Sequence, residues 1–175
     1  MLKGRMLAAI MLVLALSFSG CEKEEGKGYN ITAILHSIET EVDDPLFGCE
    51  LYGSILSLPD DMNQSSAHDH FQHTEDSPFL MGLNETHVFS ETDVTAKTWK
   101  NLSEDDAIII RIILKEDDVD LGDSDDEFGV KNFTYPVDEL LAAISMSSSA
   151  FAEKSGLTVY SGTESITITF HFRKE

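Results

Sequence analysis

Carboxylates dominate the residues of this chain that could do chemistry, and they are clustered rather than spread. The densest group lies between Leu114 and Gly129, reading Leu-Lys-Glu-Asp-Asp-Val-Asp-Leu-Gly-Asp-Ser-Asp-Asp-Glu-Phe-Gly. Asp118 and Asp120 are two residues apart, which in extended backbone turns both side chains to the same side. Asp126 returns beyond a turn built around Gly122, and Gly129 opens the next apolar segment. Three carboxylates brought within a few ångströms repel one another strongly unless a cation lies between them. The ion such a set selects is hard and oxygen-seeking. Calcium, which takes roughly 6–8 oxygens at about 2.3–2.6 Å in a flexible shell, suits a loop better than magnesium does. The competing reading is a solvated acidic run in an acidic protein. An EF-hand is excluded, because a loop counted from Asp118 needs Gly in sixth place and Glu in twelfth, where this chain has Asp123 and Gly129.

A second acidic segment precedes it, Asp44-Pro-Leu-Phe-Gly-Cys-Glu50, with Glu39, Glu41 and Asp43 just ahead. Its Leu46 and Phe47 are read as packing beneath the loop, with insertion into a bilayer as the alternative. Cys49 has no His or Asn placed by sequence to activate it and is read as a small buried apolar residue. His68, His70 and His73 could hold zinc or copper at their spacing. The commoner reading of residues 58–78, polar and rich in turn residues, is an insertion whose histidines are solvated. No Gly-x-Ser-x-Gly, His-Glu-x-x-His, phosphate-cradling glycine loop or paired cysteine motif occurs, so no enzyme is expected.

The elements that must position these residues read as strands. Ala107 to Leu114 is an apolar run, read as a buried strand that delivers the first acidic group at its end. Ile31, Ala33 and Leu35 alternate with polar neighbours and end in the second group, from which Leu51 to Ile55 departs as another strand. Further strands are expected at Phe79–Leu83, His87–Glu91, Phe128–Tyr135, Leu157–Tyr160 and Ser165–Phe172. Val137, Leu140, Leu141 and Ile144 fall at helical spacing behind Pro136, with Asp138 and Glu139 in the first turn, which predicts one short helix. Short strands, turn signals between them and one inserted helix make an all-β antiparallel sandwich.

At 175 residues, 42% hydrophobic and 9% aromatic, the chain can bury one good core, and a single domain over residues 29–175 is expected. Its 12 basic residues against 32 acidic ones give a formal charge of −20. Nucleic acid is therefore not an expected partner, since binding it rests on neutralising phosphates. Residues 1–20 have the three parts of an export signal: Lys3 and Arg5, an apolar run from Met6 to Leu16, then small residues before Cys21. Phe18-Ser19-Gly20-Cys21 resembles a bacterial lipobox, which implies diacylglycerol and an N-terminal acyl chain on Cys21 after cleavage. Residues 21–28 follow as a polar, acidic tether. Acids directly behind a lipidated cysteine look like the signal that sends some lipoproteins to the outer face of the outer membrane.

Taken together, the two acidic loops resemble those of C2 domains, the calcium-binding β-sandwiches of protein kinase C and synaptotagmin. Asp44 takes the first acidic position of the family's first loop and Glu50 the second, six residues on, with Leu51-Tyr52 standing for its Pro-Tyr. Asp118, Asp120, Asp126 and Gly129 follow the third loop, and Trp99 stands where the family often has tryptophan between the two. The likeness runs from about Tyr29 to Tyr135. It implies a C2-like sandwich in which Asp44, Glu50, Asp118, Asp120 and Asp126 ligate Ca2+, and a binding surface for a protein, glycan or phospholipid. Glu50 replaces an aspartate, lengthening that arm by one methylene, and only Lys97 and Lys100 stand near the region that meets phospholipid in other members. The expectation is a non-enzymatic, calcium-binding outer-membrane lipoprotein anchored through Cys21. Its alternative is a carbohydrate- or protein-binding lipoprotein in which calcium is structural or lacking, favoured if Tyr52 and Trp99 form an exposed strip.

Overall fold

The computed structural model describes residues 28–41, 49–82, 84–116 and 126–175. Along them run β1 (Tyr29–Glu41), β2 (Cys49–Pro59), a 3-10 turn (Gln64–Ser66), β3 (His68–His73), β4 (Phe79–Met81), β5 (Thr86–Val88), β6 (Ala96–Leu102) and β7 (Ala107–Glu116), followed by β8 (Asp126–Pro136), α1 (Val137–Met146), β9 (Ala152–Ser161) and β10 (Glu164–Lys174). They form an all-β sandwich of two antiparallel sheets with one short helix, as the apolar alternation predicts.

In the first sheet β1 pairs with β10, and β10 with β9, while β5 and β6 lie in tandem along the other edge of β1. The second sheet repeats this plan. There β2 pairs with β7, and β7 with β8, while β3 and β4 share the remaining edge of β2. The apolar run becomes β7 because a strand hydrogen-bonded on both sides and covered by a second sheet needs little polarity. Its Ile108, Ile110, Ile112 and Leu114 are buried in one core with Ile31, Leu35 and Ile38 of β1 and Ile166, Ile168, Phe170 and Phe172 of β10. Burying each such side chain contributes about 1.5–3 kcal/mol.

The helix starts where Pro136, with fixed φ and no N–H, ends β8. The Val137 N–H donates to the Asp106 carbonyl (2.9 Å), so the first orphan donor of the helix is satisfied from the β6–β7 connection. Asp138 and Glu139 in the first turn favour the helix dipole, and Val137 and Leu140 are buried against the sandwich. No described helix is long and apolar enough to cross a membrane.

One sequence expectation is corrected. Residues 58–78 are not an insertion of solvated histidines, because β3 is a full rung of the second sheet, with Gly53 opposite His73 and Ser57 opposite His68. Its polarity misled because an edge strand needs few apolar residues to hold its place. Phe71 and His70 are the two that enter the core.

Register fixes which connections share an end of the sandwich. Leu51 lies opposite Glu116, and Glu116 opposite Asp126, while Cys49 lies opposite Met81 and Glu39 opposite Thr86. The connections from β1 to β2, β4 to β5, β7 to β8 and β9 to β10 therefore leave from one end.

Candidate functional site

That end is acidic. Glu41 closes β1, Glu50 stands second in β2, Glu116 closes β7 and Asp126 opens β8, so four strand termini each present a carboxylate-bearing residue. Neighbouring strands lie roughly 4.8 Å apart, which sets β2 and β8 about 10 Å from each other across the end of β7. Glu50 is half-buried. Glu116 is 1% exposed, a carboxylate drawn inside by the inward alternation of Ile108, Ile110, Ile112 and Leu114. Glu127 is answered by the Lys115 ammonium on the neighbouring strand. On the first sheet, Glu39, Thr40, Glu41, Asn84, Ser165 and Thr167 line a polar recess of about 390 Å³ beside the end of β1. Glu41 is held there by the Ser165 hydroxyl, which donates to it at 3.3 Å. Thr40, buried beneath the recess, donates to the Gly82 carbonyl and ties β1 to the β4–β5 connection.

Of the five expected calcium ligands, Glu50 has its side chain in the structure. Asp44, Asp118 and Asp120 lie outside the described residues, as does the Asp126 side chain, although the Asp126 backbone pairs with Glu116. Cys21 and the rest of residues 1–27 also lie outside them. Among the described residues, no three of His, Cys, Asp or Glu gather closely enough to hold a metal ion.

The three histidines of β3 have other duties. His68 Nε2 donates to the Val94 carbonyl at 2.9 Å, and His73 Nδ1 donates to the Ser77 carbonyl at 3.1 Å. His70, 2% exposed, commits both ring nitrogens: Nδ1–H donates to the Thr95 carbonyl (2.9 Å) and Nε2 accepts from the Ser57 hydroxyl (2.7 Å). Ser57 Oγ accepts in turn from Trp99 Nε1–H at 3.1 Å. The result is a one-way chain from Trp99 through Ser57 and His70 to Thr95, joining β6 and the turn before it to β2 and β3 across the two sheets. Burial pushes His70 down to about 3, helped by His68 and Lys97 and opposed by the hydrogen bond to Thr95. The ring is therefore neutral at neutral pH, and every polar atom of the chain has its partner.

Sequence reasoning missed this network. The signal was Ser57, the one polar residue of Leu56-Ser57-Leu58 in an otherwise apolar half-strand, which had to face a polar group if buried. Trp99 is 5% exposed, so it forms no exposed aromatic strip with Tyr52. Cys49 is buried as a small apolar residue, 1% exposed. Compared with known protein families and with curated proteins, the chain matches none.

Proposed function

We propose that the protein is a calcium-binding lipoprotein of the cell envelope, non-enzymatic, in which Asp44, Glu50, Asp118, Asp120 and Asp126 bind Ca2+ at one end of a C2-like sandwich and the ion orders the loops into a binding surface. The observation that carries this reading is the register of the second sheet. Leu51 opposite Glu116 and Glu116 opposite Asp126 bring the roots of two loops, separated by more than sixty residues in sequence, to one end of one sheet. Glu39 and Glu41 add charge to the same rim, and repulsion within such a rim falls when a divalent cation enters. The outer membrane is the proposed location, with attachment through the acyl chains of Cys21 and a protein, glycan or phospholipid as partner. Calorimetric titration of the full chain in detergent with Ca2+, and with Mg2+ as control, tests the reading. Saturable binding of Ca2+ and little response to Mg2+ support it, and no heat with either ion refutes it.

A further inference from the structure

His70 lies where the two sheets meet along the β3–β6 flank, and its surroundings admit one state of protonation. The Thr95 carbonyl can only accept, so Nδ1 carries the proton, Nε2 must accept, and the Ser57 hydroxyl must donate to it. That carbonyl also accepts from the Leu35 N–H at 2.8 Å, which fixes it to β1. A second proton on the ring would face Ser57 Oγ. Ser57 could receive it only by swinging its own hydroxyl hydrogen off Nε2, while Trp99 Nε1–H still points at the same oxygen. The new charge would also lie against the Phe170 ring of β10, whose centroid is 5.1 Å away. The titratable groups facing His70 are His68 on its own strand, 4.7 Å away centroid to centroid, and Lys97 on β6, and both oppose a positive ring. From β2 and β10 it meets Ser57 and Phe170, which carry no charge.

The strand that carries His70 is lightly anchored. β3 is six residues long, pairs with β2 alone among the strands, and buries Phe71 besides His70. Opening an edge segment of that kind costs far less than unfolding the sandwich, whose core of Ile, Leu and Phe does not titrate. We propose that His70 makes the β3–β6 flank an acid-released latch, closed while the ring is neutral and opened by its protonation, which parts β3 from the turn before β6 and uncovers Phe71 and Trp99 while β1, β7 and β10 stay folded.

The sign follows from where the ring titrates. In the closed flank burial holds His70 down to about 3, whereas a solvated imidazole in the open flank titrates near 6.5. Between those values the open form binds the extra proton, so acid favours it. At about pH 4.5 the opening equilibrium should be roughly a hundredfold more favourable than at neutrality.

Trp99 is the single tryptophan and reports the opening directly. The test is amide exchange and tryptophan emission on the full chain in detergent, taken from neutral pH to about pH 4.5 with exchange corrected for its intrinsic pH dependence. Exchange over residues 68–73 should accelerate roughly a hundredfold and Trp99 emission should shift to the red, while β1, β7 and β10 remain protected. His70→Gln, which keeps a donor and an acceptor but cannot titrate, should hold the flank closed across the same range. Nitrogen-15 spectra of the wild-type histidines give an independent reading should that variant fail to fold. An imidazolium signal from His70 in a flank that is still protected, unchanged protection of β3, or loss of protection equally across β1, β7 and β10 would each overturn the latch.

Discussion

Leu51 and Glu116 lie opposite one another in the β2–β7 ladder. This pairing links the segment after β1 to the segment after β7, so calcium should stabilise the protein only if both contribute. A ligand that binds the folded state alone adds about RT ln(1 + [L]/Kd), roughly 2.7 kcal/mol at a hundredfold excess over Kd. Extracellular calcium modules bind at roughly 0.1–1 mM, so the melting temperature should keep rising through the millimolar range, fall back on chelation and respond little to magnesium. Asp118→Asn should remove most of that response while slightly raising stability without calcium, because it relieves repulsion and leaves no cavity. Asp44→Asn should do the same from the other segment. A response that survives Asp44→Asn but not Asp118→Asn would mean that the β7–β8 segment binds alone and that the likeness to C2 domains is accidental.

The sandwich was legible in the sequence because its central strands announce themselves. The run from Ile108 to Leu114 on β7 is short and rich in β-branched residues, and Ile166, Ile168, Phe170 and Phe172 on β10 alternate with period two. The helix was equally plain behind Pro136. What escaped was one edge strand in each sheet, β3 and β6. β3, His-Asp-His-Phe-Gln-His, has one apolar residue, and its place depends on ladder bonds to β2 and on a histidine whose partners, Ser57, Thr95 and Trp99, come from distant segments. Local pattern carries no information about such partners. The acidic segments were visible as composition, but that their strand roots share an end is a matter of register, which emerges once β2, β7 and β8 are paired.

Attachment to the envelope should depend on Cys21 alone. Two or three acyl chains give stable anchoring where one does not, so Cys21→Ser should release the protein into the soluble fraction or leave it with its signal uncleaved. Fractionation followed by immunoblotting decides this. Partitioning of the variant into membranes as for wild type would remove the lipoprotein from the proposed function.

Gly53 should be intolerant of any side chain, unlike Gly129. Gly53 has φ +116, and a Cβ there would meet the Ile113 carbonyl oxygen at 2.1 Å, where β2 pairs with β7. Gly129 also has positive φ, +74, but nothing lies within 4 Å of its missing Cβ. Gly129→Ala should therefore cost only the conformational penalty of about 1–2 kcal/mol. Gly53→Ala adds a backbone clash to that penalty and should cost roughly 3 kcal/mol or more. Urea unfolding of the two variants side by side checks the ordering, and equal midpoints would show that the approach of the two strands relaxes freely.

Ser57→Ala isolates what holds His70 neutral. At neutral pH the substitution leaves Trp99 Nε1–H and His70 Nε2 without their shared hydroxyl in a buried site, at roughly 1–3 kcal/mol for each orphaned group. The pH dependence should behave differently. Wild-type His70 titrates at about 3 when folded and near 6.5 when unfolded, so the unfolded state binds more protons between those values. The stability His70 contributes is therefore fully present above about pH 6.5 and is lost as pH falls toward 3, at no more than about 1.4 kcal/mol per pH unit. Burial is the largest cause of the depression, and it survives the loss of Ser57. The stability curve of Ser57→Ala should thus run below that of wild type and nearly parallel to it, whereas His70→Gln should be flatter than either. Chemical denaturation at a series of pH values separates the cases: a Ser57→Ala curve as flat as that of His70→Gln would mean that the hydroxyl, rather than burial against Phe170, keeps the ring uncharged.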